Sequence, residues 1–122
     1  MRILVVDDQP AVRKLLVRFL EGRGHSVTTA SNGNEGFAAD QTTMDLVITD
    51  LEMPEMSGDQ MINQLHESGK DIPFILMSGN HQELGVRGLA LKQWNIRVAT
   101  IQKPFSPSLL VTTVADEFGL KI

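Results

Sequence analysis

Five positions combine a reactive residue type with a telling place in the chain, and a glycine stands beside one of them. Asp7 and Asp8 follow the apolar run Ile3-Leu4-Val5-Val6. Asp50 comes just after Leu46-Val47-Ile48, Ser78 and Gly79 follow Phe74-Ile75-Leu76-Met77, and Lys103 comes just after Val98-Ala99-Thr100-Ile101. If these runs are strands of one open α/β sheet, their carboxyl ends line a single crevice, where such sheets bind ligands. Three carboxylates, a hydroxyl and an ammonium would meet there. Three close carboxylates repel one another, and at least one would have its pKa raised unless a cation intervened. An all-oxygen set without His or Cys suits Mg²⁺ or Mn²⁺ rather than zinc. Mg²⁺ typically takes one or two carboxylates along with waters and phosphate oxygens, which leaves one carboxylate free as a nucleophile. A carboxylate that attacks phosphorus gives an aspartyl-phosphate. Lys103 and the metal would balance charge on the phosphoryl oxygens, and backbone N–H groups of Leu51, after Asp50, and of Gly79 could add donors.

Each residue alone also has an ordinary use. Asp7-Asp8 before Gln9-Pro10 could cap a helix. Asp50 could be a turn residue, Ser78 a cap or core hydroxyl, and Lys103 a surface lysine. Their arrival at successive strand tips is what favours a shared site.

The elements that must position these residues are legible in the apolar pattern. The four runs are continuous rather than alternating, as in strands buried on both faces of a parallel sheet. A weaker segment, Ser26-Val27-Thr28-Thr29, lies between the first two. Helical spacing fills the gaps. Pro10 opens a helix that carries Val12, Leu15, Leu16, Phe19 and Leu20 and ends at Gly22 and Gly24. A short helix is predicted from Asn34 to about Gln41. A third starts near Ser57 or Gly58, carries Met61, Ile62 and Leu65, and stops at Gly69. A fourth is predicted from about Gln82 to Trp94, where Gly85 and Gly88 each cost about 1 kcal/mol relative to Ala. These glycines either ease remodelling or allow close packing. A fifth opens at Ser106-Pro107 and carries Leu109, Leu110, Val114 and Phe118. The βα unit repeated five times predicts a flavodoxin-like three-layer sandwich with strand order 2-1-3-4-5.

Length and composition narrow the class. The 122 residues are enough for one domain spanning 1–122 with its own core. There is no Cys, which removes disulfides, thiolate chemistry and Cys-based zinc sites, and fits a reducing cytoplasm. The net charge is -4 and no basic run stands out, so direct nucleic-acid binding is not expected. No apolar run approaches a membrane span and no signal peptide is evident. His25, His66 and His81 have no metal spacing. Of these, only His81 lies near the strand tips, as a loop residue. Met53 and Met56 are expected to pack the loop after Asp50. Trp94 either joins an interaction surface or covers the end of the fourth helix.

Four segments together resemble the receiver domain of bacterial two-component response regulators. They are Ile3-Leu4-Val5-Val6-Asp7-Asp8, Asp50-Leu51-Glu52-Met53-Pro54-Glu55-Met56-Ser57-Gly58, Met77-Ser78-Gly79 and Lys103-Pro104-Phe105. The resemblance covers essentially the whole chain and implies a role at each position. Asp50 resembles the phosphoacceptor. Asp8 resembles the direct Mg²⁺ ligand, with Asp7 acting mainly through water. Glu52 sits where the family offers a backbone carbonyl to the metal. Lys103 resembles the lysine that pairs with the phosphoryl group, followed by a cis Lys103-Pro104 peptide. Ser78 resembles the hydroxyl that moves toward the phosphoryl oxygen. The implied donor is a sensor histidine kinase or a phosphotransfer protein. The implied output face is the fourth helix, fifth strand and fifth helix, meeting an effector domain, a target protein or a second copy in a homodimer.

Thr100 departs from the family, which places an aromatic switch residue three positions before the lysine, and the chain has no Tyr. The stretch from Ser78 to Lys103 is also a few residues longer than usual. Its text from Leu89 to Val98 resembles receivers attached to EAL-type cyclic-di-GMP phosphodiesterases. Two rivals remain. A receiver-shaped interaction module would take no phosphate, and a Mg²⁺-dependent phosphohydrolase would turn over outside substrates. The intact acid and lysine set weighs against the first. The lack of a separate general acid and lid weighs against the second.

Overall fold

The computed structural model describes residues 1–39 and 44–122. Strands and helices alternate from start to finish: β1 Arg2–Val6, α1 Pro10–Gly22, β2 Ser26–Ala30, α2 Gly33–Ala38, β3 Leu46–Asp50, α3 Gly58–Glu67, β4 Phe74–Ser78, α4 His81–Lys92, β5 Val98–Gln102 and α5 Pro107–Phe118. The sheet is parallel and ordered β2-β1-β3-β4-β5. This is the flavodoxin-like order expected from the pattern.

Burial explains why the apolar runs are continuous. Every residue of β3 and of β4 is buried. Alternate residues feed two separate cores. Leu4, Val47, Leu76 and Val98 face Met61, Ile62 and Leu65 of α3 and Leu84 and Leu91 of α4. Ile3, Ile48, Ile75 and Ile101 face Leu16 and Leu20 of α1 and Leu110 and Val114 of α5. A fully buried side chain of this kind is worth about 1.5–3 kcal/mol. The two apolar layers therefore fix the sheet, and the sheet fixes its tips.

Helix starts differ slightly from expectation, for local reasons. α2 begins at Gly33 rather than Asn34, because the Asn32 side chain caps it by accepting from the Glu35 N–H at 2.8 Å. Gln41, the expected end of that helix, lies outside the described residues. α4 begins at His81 rather than Gln82, because the Asn80 side chain accepts from the Glu83 N–H at 3.0 Å. It ends at Lys92, and the chain then leaves through Asn95 in the left-handed region at φ 60°. Trp94 is thus past the helix and exposed.

α3 starts hard against the tip of β3. A Cβ on Gly58 would stand 2.1 Å from the Asp50 carbonyl oxygen, closer than any carbon can approach. Glycine lets the Gly58 N–H reach the Leu51 carbonyl at 2.9 Å. The loop that bears Asp50 is thereby closed onto the helix that follows it.

Candidate functional site

Asp7 is the first residue beyond β1 and Asp50 is the last residue of β3. Pairing of β1 with β3 therefore brings their side chains together. Asp7 is fully buried and Asp50 nearly so, whereas Asp8 is exposed. Carboxylate oxygens of Asp7, Asp8 and Asp50 all lie within 4.8 Å of one another. Lys103 enters from the opposite side. Its N–H donates to the Ser78 carbonyl at 2.8 Å, which prolongs the β4–β5 pairing by one step. Its Nζ then lies 2.8 Å from Asp7 Oδ2 and 3.1 Å from Asp50 Oδ1. The Lys103–Pro104 peptide is cis, as the resemblance implied.

The helix-capping use of Asp7-Asp8 is only partly realised. Gln9 is the cap residue of α1 and its side chain makes no cap bond. Asp7 Oδ1 instead accepts from the Gln9 N–H at 2.9 Å, and the Asp7 carbonyl accepts from Arg13 Nη1 at 2.6 Å. These bonds hold the Asp7 carboxylate while its second oxygen meets Lys103. Asp8 is left at the rim.

The charges are unbalanced. Burial pushes the Asp50 carboxyl up to about 6, the neighbouring charges of Asp7 and Glu52 push the same way, and the Lys103 ammonium opposes them. Burial alone would lower the pKa of Lys103. Its hydrogen bond to Asp7 and the charges of Asp50 and Asp7 outweigh that, so the ammonium form is favoured. One cation thus faces three carboxylates. The donors are all oxygen, and the surplus is negative, so the set fits a hard divalent cation. Asp7, Asp8 and Asp50 are the groups on hand to hold it.

Ser78, at the tip of β4, is buried. Its Oγ accepts from the Asn80 N–H at 2.9 Å and donates to the Glu52 carboxylate, with one carboxylate oxygen 2.9 Å away and the other closer still. The sequence suggested only a backbone part for Glu52. Its side chain is a member of the site that spacing could not disclose, because it reaches across to another strand from an irregular loop.

Leu51 requires a correction. Its N–H was expected to face a bound anion. It instead donates to the Met77 carbonyl at 2.8 Å, prolonging the β3–β4 pairing past Asp50, and the side chain is buried. Gly79 is exposed, and a Cβ there would meet nothing within 4 Å. His81 is the first residue of α4, not a loop residue, and is exposed. Met53 and Met56 pack against the core beneath α3, as expected.

Thr100 lies on β5, under α4. A Cβ on Gly88 would stand 2.6 Å from the Thr100 methyl, so this glycine permits close packing. Gly85 has nothing within 4 Å of the same position. Beside Lys103, an apolar cleft of about 450 Å³ runs between α1 and the β5–α5 loop, lined by Val12, Leu15, Leu16, Phe105 and Pro107. Among the described residues no helix is long and apolar enough to cross a membrane.

Comparison with known proteins supplies the remaining finding. The family model described as response regulator receiver domain matches residues 3–115. The sensor kinase CckA of Brucella abortus is 34% identical over 117 residues, which cover 93% of this chain and 12% of that protein. The response regulator SaeR of Staphylococcus aureus is 29% identical over 113 residues, covering 92% of this chain and 48% of that protein. The chain thus spans half or less of the length of these curated relatives. The response regulator TrrA of Thermotoga maritima, solved in complex with Mg²⁺ and BeF, superposes with a TM-score of 0.80 at 32% identity, covering 96% of this chain and 98% of that one.

Proposed function

The chain belongs to the response regulator receiver domain family, and from that membership we propose that Asp50 accepts a phosphoryl group in two-component signal transduction. A sensor histidine kinase, a phosphotransfer protein or a small acyl phosphate is the donor. An Asp50 carboxylate oxygen attacks phosphorus. The bond from phosphorus to the donor's nitrogen or oxygen breaks, and the leaving atom keeps the electron pair. Later attack by water on phosphorus releases inorganic phosphate and restores the carboxylate. The domain acts as a phospho-acceptor, not as an enzyme with outside substrates.

One observation carries this reading: Lys103 Nζ bridges Asp7 and Asp50 at 2.8 and 3.1 Å inside a three-carboxylate cluster. A phosphoryl group on Asp50 would meet that ammonium at once. Mg²⁺, held by Asp8, Asp50, the Glu52 carbonyl and, through water, Asp7, would offset charge on the phosphoryl oxygens. Among the described residues the N–H groups of Glu52 and Gly79 donate to no protein acceptor, and they are better candidates than Leu51 for binding those oxygens. Ser78 supplies the hydroxyl that turns toward them. The domain would work in the cytoplasm.

The added charge is proposed to bias α4, β5 and α5, the output face. Val86 and Leu89 on α4, with Trp94 just beyond it, are exposed apolar residues suited to an effector domain, a target or a second copy. No observation favours the phosphate-free module or the phosphohydrolase.

The test is labelling with radioactive acetyl phosphate and Mg²⁺. The parent chain should take up label, and Asp50→Asn or added EDTA should abolish it. Undiminished label in Asp50→Asn would mean another acceptor.

A further inference from the structure

We propose that the side chain of Glu52 is a latch on Ser78, so that a carboxylate of the protein competes with the phosphoryl group for one hydroxyl proton. The proposal rests on Asp50 being the phosphoacceptor. It assigns Glu52 a positioning role in addition to its backbone part at the metal.

The hydrogen-bond inventory makes the competition unavoidable. A serine hydroxyl has one proton to donate, and an ionised carboxylate can only accept. Ser78 is buried and its proton is committed to Glu52, with both carboxylate oxygens in reach. A phosphoryl oxygen on Asp50 needs that same proton. A bond to a charged acceptor is among the stronger ones a hydroxyl makes, so surrendering it opposes the active arrangement. Asp50 pairs with Met77, so Ser78 is one residue beyond the Asp50 level on the next strand. Glu52 is two residues beyond Asp50 on a different path. The two acceptors therefore belong to different groups, and one hydroxyl proton cannot serve both.

The same oxygen has a second tie. It accepts from the Asn80 N–H at 2.9 Å, and the Asn80 side chain caps α4 by accepting from the Glu83 N–H at 3.0 Å. Glu83 and Asp59 both hold Arg87, at 3.2 Å each, which joins α4 to α3. A move of the Ser78 hydroxyl thus disturbs the first turn of α4 directly. The path from Ser78 through Asn80 is thus one route from the site to α4.

The latch differs from simple charge repulsion in one respect: it acts only through Ser78. The test is a double-mutant cycle read as affinity for Mg²⁺ with beryllofluoride, a phosphoryl mimic, by calorimetry. Glu52→Ala should tighten binding by roughly tenfold. In the Ser78→Ala background the same change should have little effect. Glu52→Gln, which keeps an acceptor oxygen without the charge, should fall between parent and Glu52→Ala. In the metal-free protein, Glu52→Ala should shift the Asn80 amide resonance, and in the Ser78→Ala background it should not. Equal tightening with and without Ser78 would overturn the latch in favour of plain charge repulsion. No tightening, or an unmoved Asn80 amide, would overturn it as well. If instead the parent failed to bind the mimic, or Asp50→Asn bound it equally well, the phosphoacceptor assignment itself would fall and the latch with it.

Discussion

At Asp50 a nearly buried carboxylate ends a strand between two other acids and one lysine, and its pKa rises from 3.8 to about 6. The sign of the consequence follows from linkage. Below the unfolded pKa the group is neutral in both states and costs nothing. As pH rises through 4 toward 6, the unfolded chain ionises freely while the folded one resists, so stability is lost. Two pKa units correspond to about 3 kcal/mol as an upper figure. Asp50→Asn should therefore be more stable than the parent at pH 7 in EDTA, by about 1–3 kcal/mol, and the gap should close toward pH 4. Urea denaturation at the two pH values measures it, and a gap independent of pH would contradict the electrostatic account. Residue types at this scale were legible because each reactive side chain ends an apolar run. The Glu52–Ser78 bond was not, since contact between a loop and a different strand leaves no spacing in the sequence. Nor was the engaged Leu51 N–H, because the extent of β3–β4 pairing depends on tertiary structure.

Among the elements, α4 is the one whose sequence was ambiguous. Its two glycines look alike in the chain and differ in space. Gly85 faces open solvent, so Gly85→Ala should stabilise the protein by about 1 kcal/mol through helix propensity alone. Gly88 sits over the Thr100 methyl, so Gly88→Ala should be neutral or destabilising in the parent. In a Thr100→Ala background the obstruction is gone, and Gly88→Ala should regain a stabilising sign. Thermal melts of the four variants decide this. A stabilising Gly88→Ala in the parent would mean that the close approach is not real. β1, β3 and β4 were legible almost to the residue, because burial on both faces demands unbroken apolar runs. Helix starts slipped by a residue at α2 and α4, where Asn32 and Asn80 cap one position earlier than the apolar pattern suggests.

For the whole molecule, two cores on opposite faces of one parallel sheet leave the carboxyl edge free for chemistry. The order of strands puts β1, β3 and β4 side by side at the switch point, and β5 brings Lys103 from the flank. This gathering was readable from βα alternation, since few topologies satisfy it. Its most direct check is chemical. The phosphorylated chain is reduced with borohydride, which converts an aspartyl-phosphate to homoserine, and the product is mapped by mass spectrometry. Homoserine at position 50 and nowhere else is the predicted result. Homoserine at position 7 or 8, or none in a chain that carries phosphate, would contradict the assignment of Asp50.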